Sequence, residues 1–232
     1  MPDTFYQDKL YPFQDKILTI LGRADTEFYL TGGTALSRFL LNHRYSDDLD
    51  FFLNASASFQ KQVQSIINLL NNNTIPFKSA IPSEDFFRML LPLPFEQEKS
   101  LQIDFVNDVG FHYGDFHRSE LFPRIDNWRN ILSNKIYALS REEAKDVVDL
   151  LLISQTYEFE WKEVIGEAKQ KDAWVDPLAI SKRLDEFRIE TLQSIKWITP
   201  VDVQGFAKAL KTLQQEIFFG KQNSLAARKN PL

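Results

Sequence analysis

The chain has 232 residues, a net charge of −5 and no cysteine, which excludes a disulfide framework and any thiolate metal site. The acidic balance argues against a protein that coats nucleic acid by charge alone, while leaving room for a local basic groove. Met1-Pro2-Asp3-Thr4 is too polar for a signal peptide, and no apolar run approaches the roughly 20 residues that span a bilayer, so a cytoplasmic chain without membrane attachment is expected.

Residues 5–22 place Leu10, Phe13, Ile17, Leu18 and Leu21 at helical spacing, an amphipathic opening helix. Phe28 to Thr31 is a short β-prone run that Gly32-Gly33 stops, and Ala35 to Leu41 reads as a short helix. Leu49 to Leu53 reads as a strand. Phe59 to Leu70 is a helix ended by Asn71-Asn72-Asn73. Two strands follow, around Phe86–Leu91 and Leu101–Val106, separated by a proline-containing connection. Beyond about residue 125 helical periodicity dominates. Trp128 to Leu139 is one helix. Ser140 with Glu143 has the spacing of a capping box, so another should begin near Arg141. Asp176-Pro177 and Thr199-Pro200 mark two further starts, and the basic tail from Gly220 (Lys221, Arg228, Lys229) is expected to be mobile. The expected class is α+β: a catalytic domain over 1–124 with a small mixed sheet and flanking helices, then a mainly helical region over 125–232.

Chemistry concentrates between Tyr29 and Leu53. A strand runs into Gly32-Gly33-Thr34, where glycines let a phosphate approach the backbone, helix N-terminal amides face its charge and Thr34 adds a hydroxyl. Asp48 and Asp50 lie two apart on a strand, so they share a face while Leu49 turns to the core. Two such carboxylates form a hard oxygen site suited to Mg²⁺ or Mn²⁺, as in-line transfer at phosphorus from an NTP requires. In Leu101 to Val106 the apolar residues 101, 103 and 105 share one face and Asp104 projects from the other. It would join the pair if the two strands are neighbours. Asp47 points away from the pair and reads as structural.

The run Gly32-Gly33-Thr34-Ala35-Leu36, followed by His43-Arg44-Tyr45-Ser46-Asp47-Asp48-Leu49-Asp50-Phe51-Phe52, resembles the AbiEii/AbiGii-type toxin nucleotidyltransferases, a branch of the DNA polymerase β-like superfamily. Lys135 with Ser140 and Arg141 resembles a later Lys–Ser/Thr–Arg motif, and Asp146 with Asp149 a late paired-aspartate motif. The resemblance spans roughly residues 29–155. It implies that Gly32, Gly33, Thr34 and Lys135 bind the triphosphate and that Asp48 and Asp50 hold metal. Asp104 would hold metal or take the acceptor's proton. Asp146 and Asp149 would order Lys135 or meet the acceptor, so that the helical region completes the active-site cleft. Arg44, Ser46 and Arg141 match the pattern without an assigned mechanism. The glycine-to-aspartate spacer is about one residue longer than usual, and Arg141 follows Ser140 without the usual gap. The implied acceptor is RNA, tRNA first, with an antitoxin as possible partner.

Other readings stand beside these. The acceptor could be a protein or a small molecule such as an aminoglycoside, or the chain could be a binding module without turnover. Asp146 and Asp149 share a helical face and could simply pair with Lys145 or Arg141. His43, His112 and His117 lack metal-ligand spacing. Trp128, Trp161, Trp174 and Trp197 read as core, and Lys208, Lys211, Lys221, Arg228 and Lys229 as a solvated face rather than an RNA patch.

Overall fold

The computed structural model describes residues 4–80 and 82–226. The chain divides into two compact units, Met1–Asn127 and Trp128–Leu232.

The first unit opens with a π-helical turn (Tyr6–Leu10) that runs into α1 (Tyr11–Leu21). Strand β1 (Tyr29–Thr31) passes directly into α2 (Gly32–Ala35), which continues as a widened π-helical segment, Leu36–Leu41. The helix therefore begins at the glycines themselves rather than at Ala35. Then come β2 (Leu49–Asn54), α3 (Phe59–Asn72), β3 (Lys78–Ala80), β4 (Phe86–Leu93) and β5 (Glu96–Asp108). The five strands form one mixed sheet in the order β1-β2-β5-β4-β3, in which only β2 and β5 run parallel. Strands β4 and β5 are a hairpin. Pro92, expected in a connection, lies inside β4, where the register shifts between Pro92 and Leu93. Proline is tolerated there because β3 reaches only Arg88 to Leu90 on the other side.

Strict alternation decides which face of the sheet is buried. Leu49, Phe51 and Leu53 of β2 face the core with Met89, Leu91, Ile103 and Phe105. Helix α3 adds Phe59, Val63, Ile66 and Leu70, a stripe at helical spacing. Phe51 stacks on Phe105 at 5.3 Å, and Phe28 meets Phe105 edge-on at 4.9 Å.

The second unit is helical: α4 (Trp128–Ala138), α5 (Ala144–Thr156), α6 (Trp161–Lys171), α7 (Pro177–Asp185) and α8 (Val203–Phe219), with 3₁₀ turns at Leu139–Arg141 and Ile189–Ser194. Asp176 caps α7 as expected, its carboxylate accepting from Ala179 N. Two expected starts are corrected. The Ser140 hydroxyl donates back to the Tyr137 carbonyl instead of forming a capping box, and α5 starts at Ala144 after Glu143. Thr199-Pro200 is followed by α8 only at Val203, because Asp202 is the cap that accepts from Gln204 N.

Two further expectations fail for reasons of packing. Of the tryptophans, Trp161 is fully buried but Trp174 is 91% exposed. The segment after Gly220 is pinned rather than mobile as far as it is described. Asn223 is buried and donates through Nδ2 to the carbonyls of Ser154 and Tyr157, both at 2.7 Å, and its own amide donates to Phe159 O. Arg228 and Lys229 lie outside the described residues, while Lys208, Lys211 and Lys221 are exposed. Among the described residues no helix is long and apolar enough to cross a membrane.

All four tryptophans lie in the second unit, so tryptophan fluorescence reports its unfolding alone. Asn223→Ala strands one buried and one partly buried carbonyl and should lower that unit's stability in urea by about 2 kcal/mol. An unchanged midpoint would contradict the pinned tail.

Candidate active site

The register of the sheet brings four side chains into one row. Thr31 of β1 pairs with Asp50 of β2, Asp50 with Asp104 of β5, and Asp104 with Arg88 of β4. Residues directly opposite each other share a face, and this is the face away from the aromatic core. Asp48 precedes β2 with the same parity as Asp50, both half-buried around the buried Leu49. The neighbouring of β2 and β5, on which the convergence of Asp104 with the aspartate pair depends, is thus present.

Each member of the row is held. Arg88 donates to Asp104 through both Nε (to Oδ1) and Nη2 (to Oδ2) at 2.7 Å, and Gln102 Nε2 adds a bond to Oδ2 at 3.1 Å. The Asp104 bond raises the Arg88 guanidinium pKa above its usual value. Burial opposes this, and the charges of Asp104, Asp48 and Asp50 add to it. The Thr31 hydroxyl donates to the fully buried Asp126 at 2.5 Å, and the His112 ring meets the other Asp126 oxygen at 3.0 Å.

The two glycines also make room for side chains of the chain itself. Gly32 has φ +67°, and a Cβ there would run into the Asp50 carboxylate. A Cβ on Gly33 would fall 2.7 Å from Arg44 Nη2 and 3.1 Å from Ser46 Oγ. The room they make admits the chain's own side chains, which gives Arg44 and Ser46 a location against the glycine turn. Thr34 is fully buried and its hydroxyl donates to the Asp48 carbonyl, which fixes the backbone at Asp48.

The segment carrying the aspartates is fastened from α1. The fully buried Gln14 donates to the carbonyls of Ser46 and Asp47, and Tyr6 OH donates to Asp47 Oδ1 at 2.5 Å, its ring stacked on Tyr45. Asp47 is structural, as its parity implies.

In the second unit Lys135 is buried with its ammonium 2.5 Å from Asp146 Oδ1 and 2.7 Å from Asp149 Oδ2. The paired aspartates therefore hold Lys135, rather than Lys145 or Arg141. The ammonium expected to meet a triphosphate is engaged by carboxylates of its own unit. Arg141 is exposed at the end of its 3₁₀ turn.

A family model described as nucleotidyl transferase AbiEii toxin, type IV toxin–antitoxin system, matches residues 17–216, a span that includes the glycine turn, the carboxylate row and the Lys135 cluster. The chain belongs to the AbiEii nucleotidyltransferase toxin family. It is a toxin-type nucleotidyltransferase. Its fold is similar to that of JHP933 from Helicobacter pylori (TM-score 0.64, 20% identity, 94% of each chain covered). It is also similar to MenT4, a nucleotidyltransferase toxin from Mycobacterium tuberculosis (TM-score 0.52, 16% identity, 90% of this chain and 82% of that one). No curated protein matches the sequence.

The hard oxygens of Asp48, Asp50 and Asp104 suit a divalent cation, and the guanidinium already lodged beside them marks a place that attracts positive charge. Among the described residues no three acidic or histidine side chains form a ready-made metal cage, in keeping with an Asp104 turned fully to Arg88. In this AbiEii chain the residue missed from the sequence is Arg88. It stands alone in an apolar strand run, on the parity that faces the carboxylates, and that lone charge was the available signal.

Gly32→Ala should displace the Asp50 carboxylate and cut nucleotide transfer about a hundredfold. Gly33→Ala, which meets only flexible side-chain ends, should cost far less, and equal losses would contradict this geometry. Lys135→Met leaves Asp146 and Asp149 buried without their shared cation, and should destabilise the second unit by about 3–5 kcal/mol in the fluorescence assay. A lysine that served only a phosphate would leave that midpoint unmoved.

Proposed function

We propose that this chain moves a nucleoside monophosphate from an NTP to RNA, with tRNA as the favoured acceptor, using a divalent cation (Mg²⁺ or Mn²⁺) at Asp48 and Asp50 that Asp104 can join. The observation that carries the reading is the register that sets Asp50 beside Asp104 at the edge of the Gly32-Gly33 turn. The RNA acceptor rests on membership of a toxin family, which also supports a cognate antitoxin as partner.

The residues divide the work by chemistry. The turn at Gly32 and Gly33 presents helix N-terminal amides to the triphosphate, with the Arg44 guanidinium beside it. Thr34 fixes the Asp48 backbone, and Asp50 is seated against Gly32. When bound, the cation supplies charge stabilisation to the oxygens at phosphorus. Asp104 accepts the proton of the acceptor hydroxyl. The acceptor oxygen bonds to the α-phosphorus, the α–β phosphoanhydride breaks, and pyrophosphate leaves.

Incubation with each α-labelled NTP, Mg²⁺ and a lysate, then separation into RNA, protein and small-molecule fractions, tests this. Label should enter RNA with the native chain and vanish with Asp48→Asn, whose thermal unfolding should match the native chain's. Label in protein or small molecules would replace the acceptor. Full activity in Asp48→Asn would sink the assignment.

A further inference from the structure

Arg88 is the feature of the first unit that the proposed chemistry leaves unused. Its guanidinium occupies both oxygens of Asp104, and its ring neighbour Phe86 lies 5.4 Å away on the same strand face. The forked guanidinium and the Gln102 amide together occupy three of the roughly four lone-pair sites of the Asp104 carboxylate, which leaves little capacity for another cation. The Arg88 side chain remains 29% exposed, against 11% for Asp104, so the arginine can withdraw into water while the aspartate stays in the sheet.

We propose that Arg88 is a positioning residue that competes with the divalent cation for Asp104, holding this carboxylate in reserve and thereby weakening metal binding until nucleotide is present. The inference rests on the metal-dependent reading above. A bidentate salt bridge on the very carboxylate that would join the cation is a cost to metal binding that a lone Asp48–Asp50 pair does not bear. A metal bound together with nucleotide brings phosphate oxygens that can receive a displaced guanidinium, since arginine pairs with phosphate in the same forked geometry as with carboxylate. Arg88 would then pass from Asp104 to the substrate.

The test is Mn²⁺ binding to the full chain, followed by the paramagnetic signal of free Mn²⁺, with and without a non-hydrolysable NTP. Arg88→Gln should bind Mn²⁺ about tenfold tighter than the native chain without nucleotide, since Asp104 is released from a partly buried forked pair. In an Asp104→Asn background the same change should gain about twofold or less, the part due to general charge. Arg88→Lys, which keeps the charge without the fork, should fall between native and Arg88→Gln and guards against a glutamine variant that fails to fold. With nucleotide the native chain should close most of the gap to Arg88→Gln. Unchanged or weaker binding in Arg88→Gln, or a gain that persists in the Asp104→Asn background, overturns the competition. Mn²⁺ uptake with nucleotide that is lost in Asp48→Asn keeps the metal-dependent reading even then. No Mn²⁺ uptake by the native chain under any condition overturns both.

Discussion

A sheet lets distant parts of a chain share one line of side chains, and in this chain one rung crosses four strands: Thr31, Asp50, Asp104 and Arg88. Everything proposed for the first unit depends on that line. A slip of one residue between β2 and β5 would set Phe51 against Asp104 and drive one or the other to the wrong face. The register is defended from behind by Phe51 stacked on Phe105 and by Phe28 edge-on to the same ring. The hydrophobic core therefore sets the spacing of the carboxylates, though it touches none of them.

The front of the sheet is defended by hydrogen bonds. Gln14 donates to two successive carbonyls just before Asp48, Thr34 donates to the Asp48 carbonyl, and Tyr6 takes hold of Asp47. These bonds are buried or partly so, where a lost partner costs more than at the surface. They fix the backbone leading into β2 without using the carboxylate oxygens of Asp48 or Asp50. Helix α1 and the π-helical turn before it thus serve the site, although neither carries a candidate reactive group.

Much of this was legible in the residues. The alternation around Leu49, Phe51 and Leu53 gave both the strand and the face on which Asp50 lies, and the parity of Ile103 and Phe105 did the same for Asp104. What remained hidden depended on partners far along the chain. No local pattern says that Asp50 will fill the space over Gly32, or that Arg44 will lie on Gly33. The same holds for Gln14, a buried polar residue on an otherwise apolar helix face. Caps failed differently: Ser140 and Glu143 have the spacing of a capping box, but the Ser140 hydroxyl bonds backward to Tyr137 and the helix begins later. Strand β3 escaped notice because Lys78-Ser79-Ala80 is short and polar, the composition that keeps an edge strand from pairing with other chains. Trp174 contradicts the general rule that tryptophan is buried, and nothing in its neighbourhood announces that.

Both units place a cation among aspartates, and burial separates the two cases. Lys135 and its partners Asp146 and Asp149 are almost wholly buried, the lysine side chain at 9% exposure. Moving that ammonium would leave charge in a medium that cannot hydrate it, so the cluster behaves as a fixed part of the second unit. Arg88 keeps 29% of its side chain in contact with solvent and makes a forked pair at the surface of the sheet. Water can replace much of what the arginine gives up on leaving, so the net worth of such a pair is small beside that of a buried one. A small energy is what an exchangeable partner requires. It holds Asp104 in place when no other cation is present, and yields when one with greater charge competes for the same oxygens.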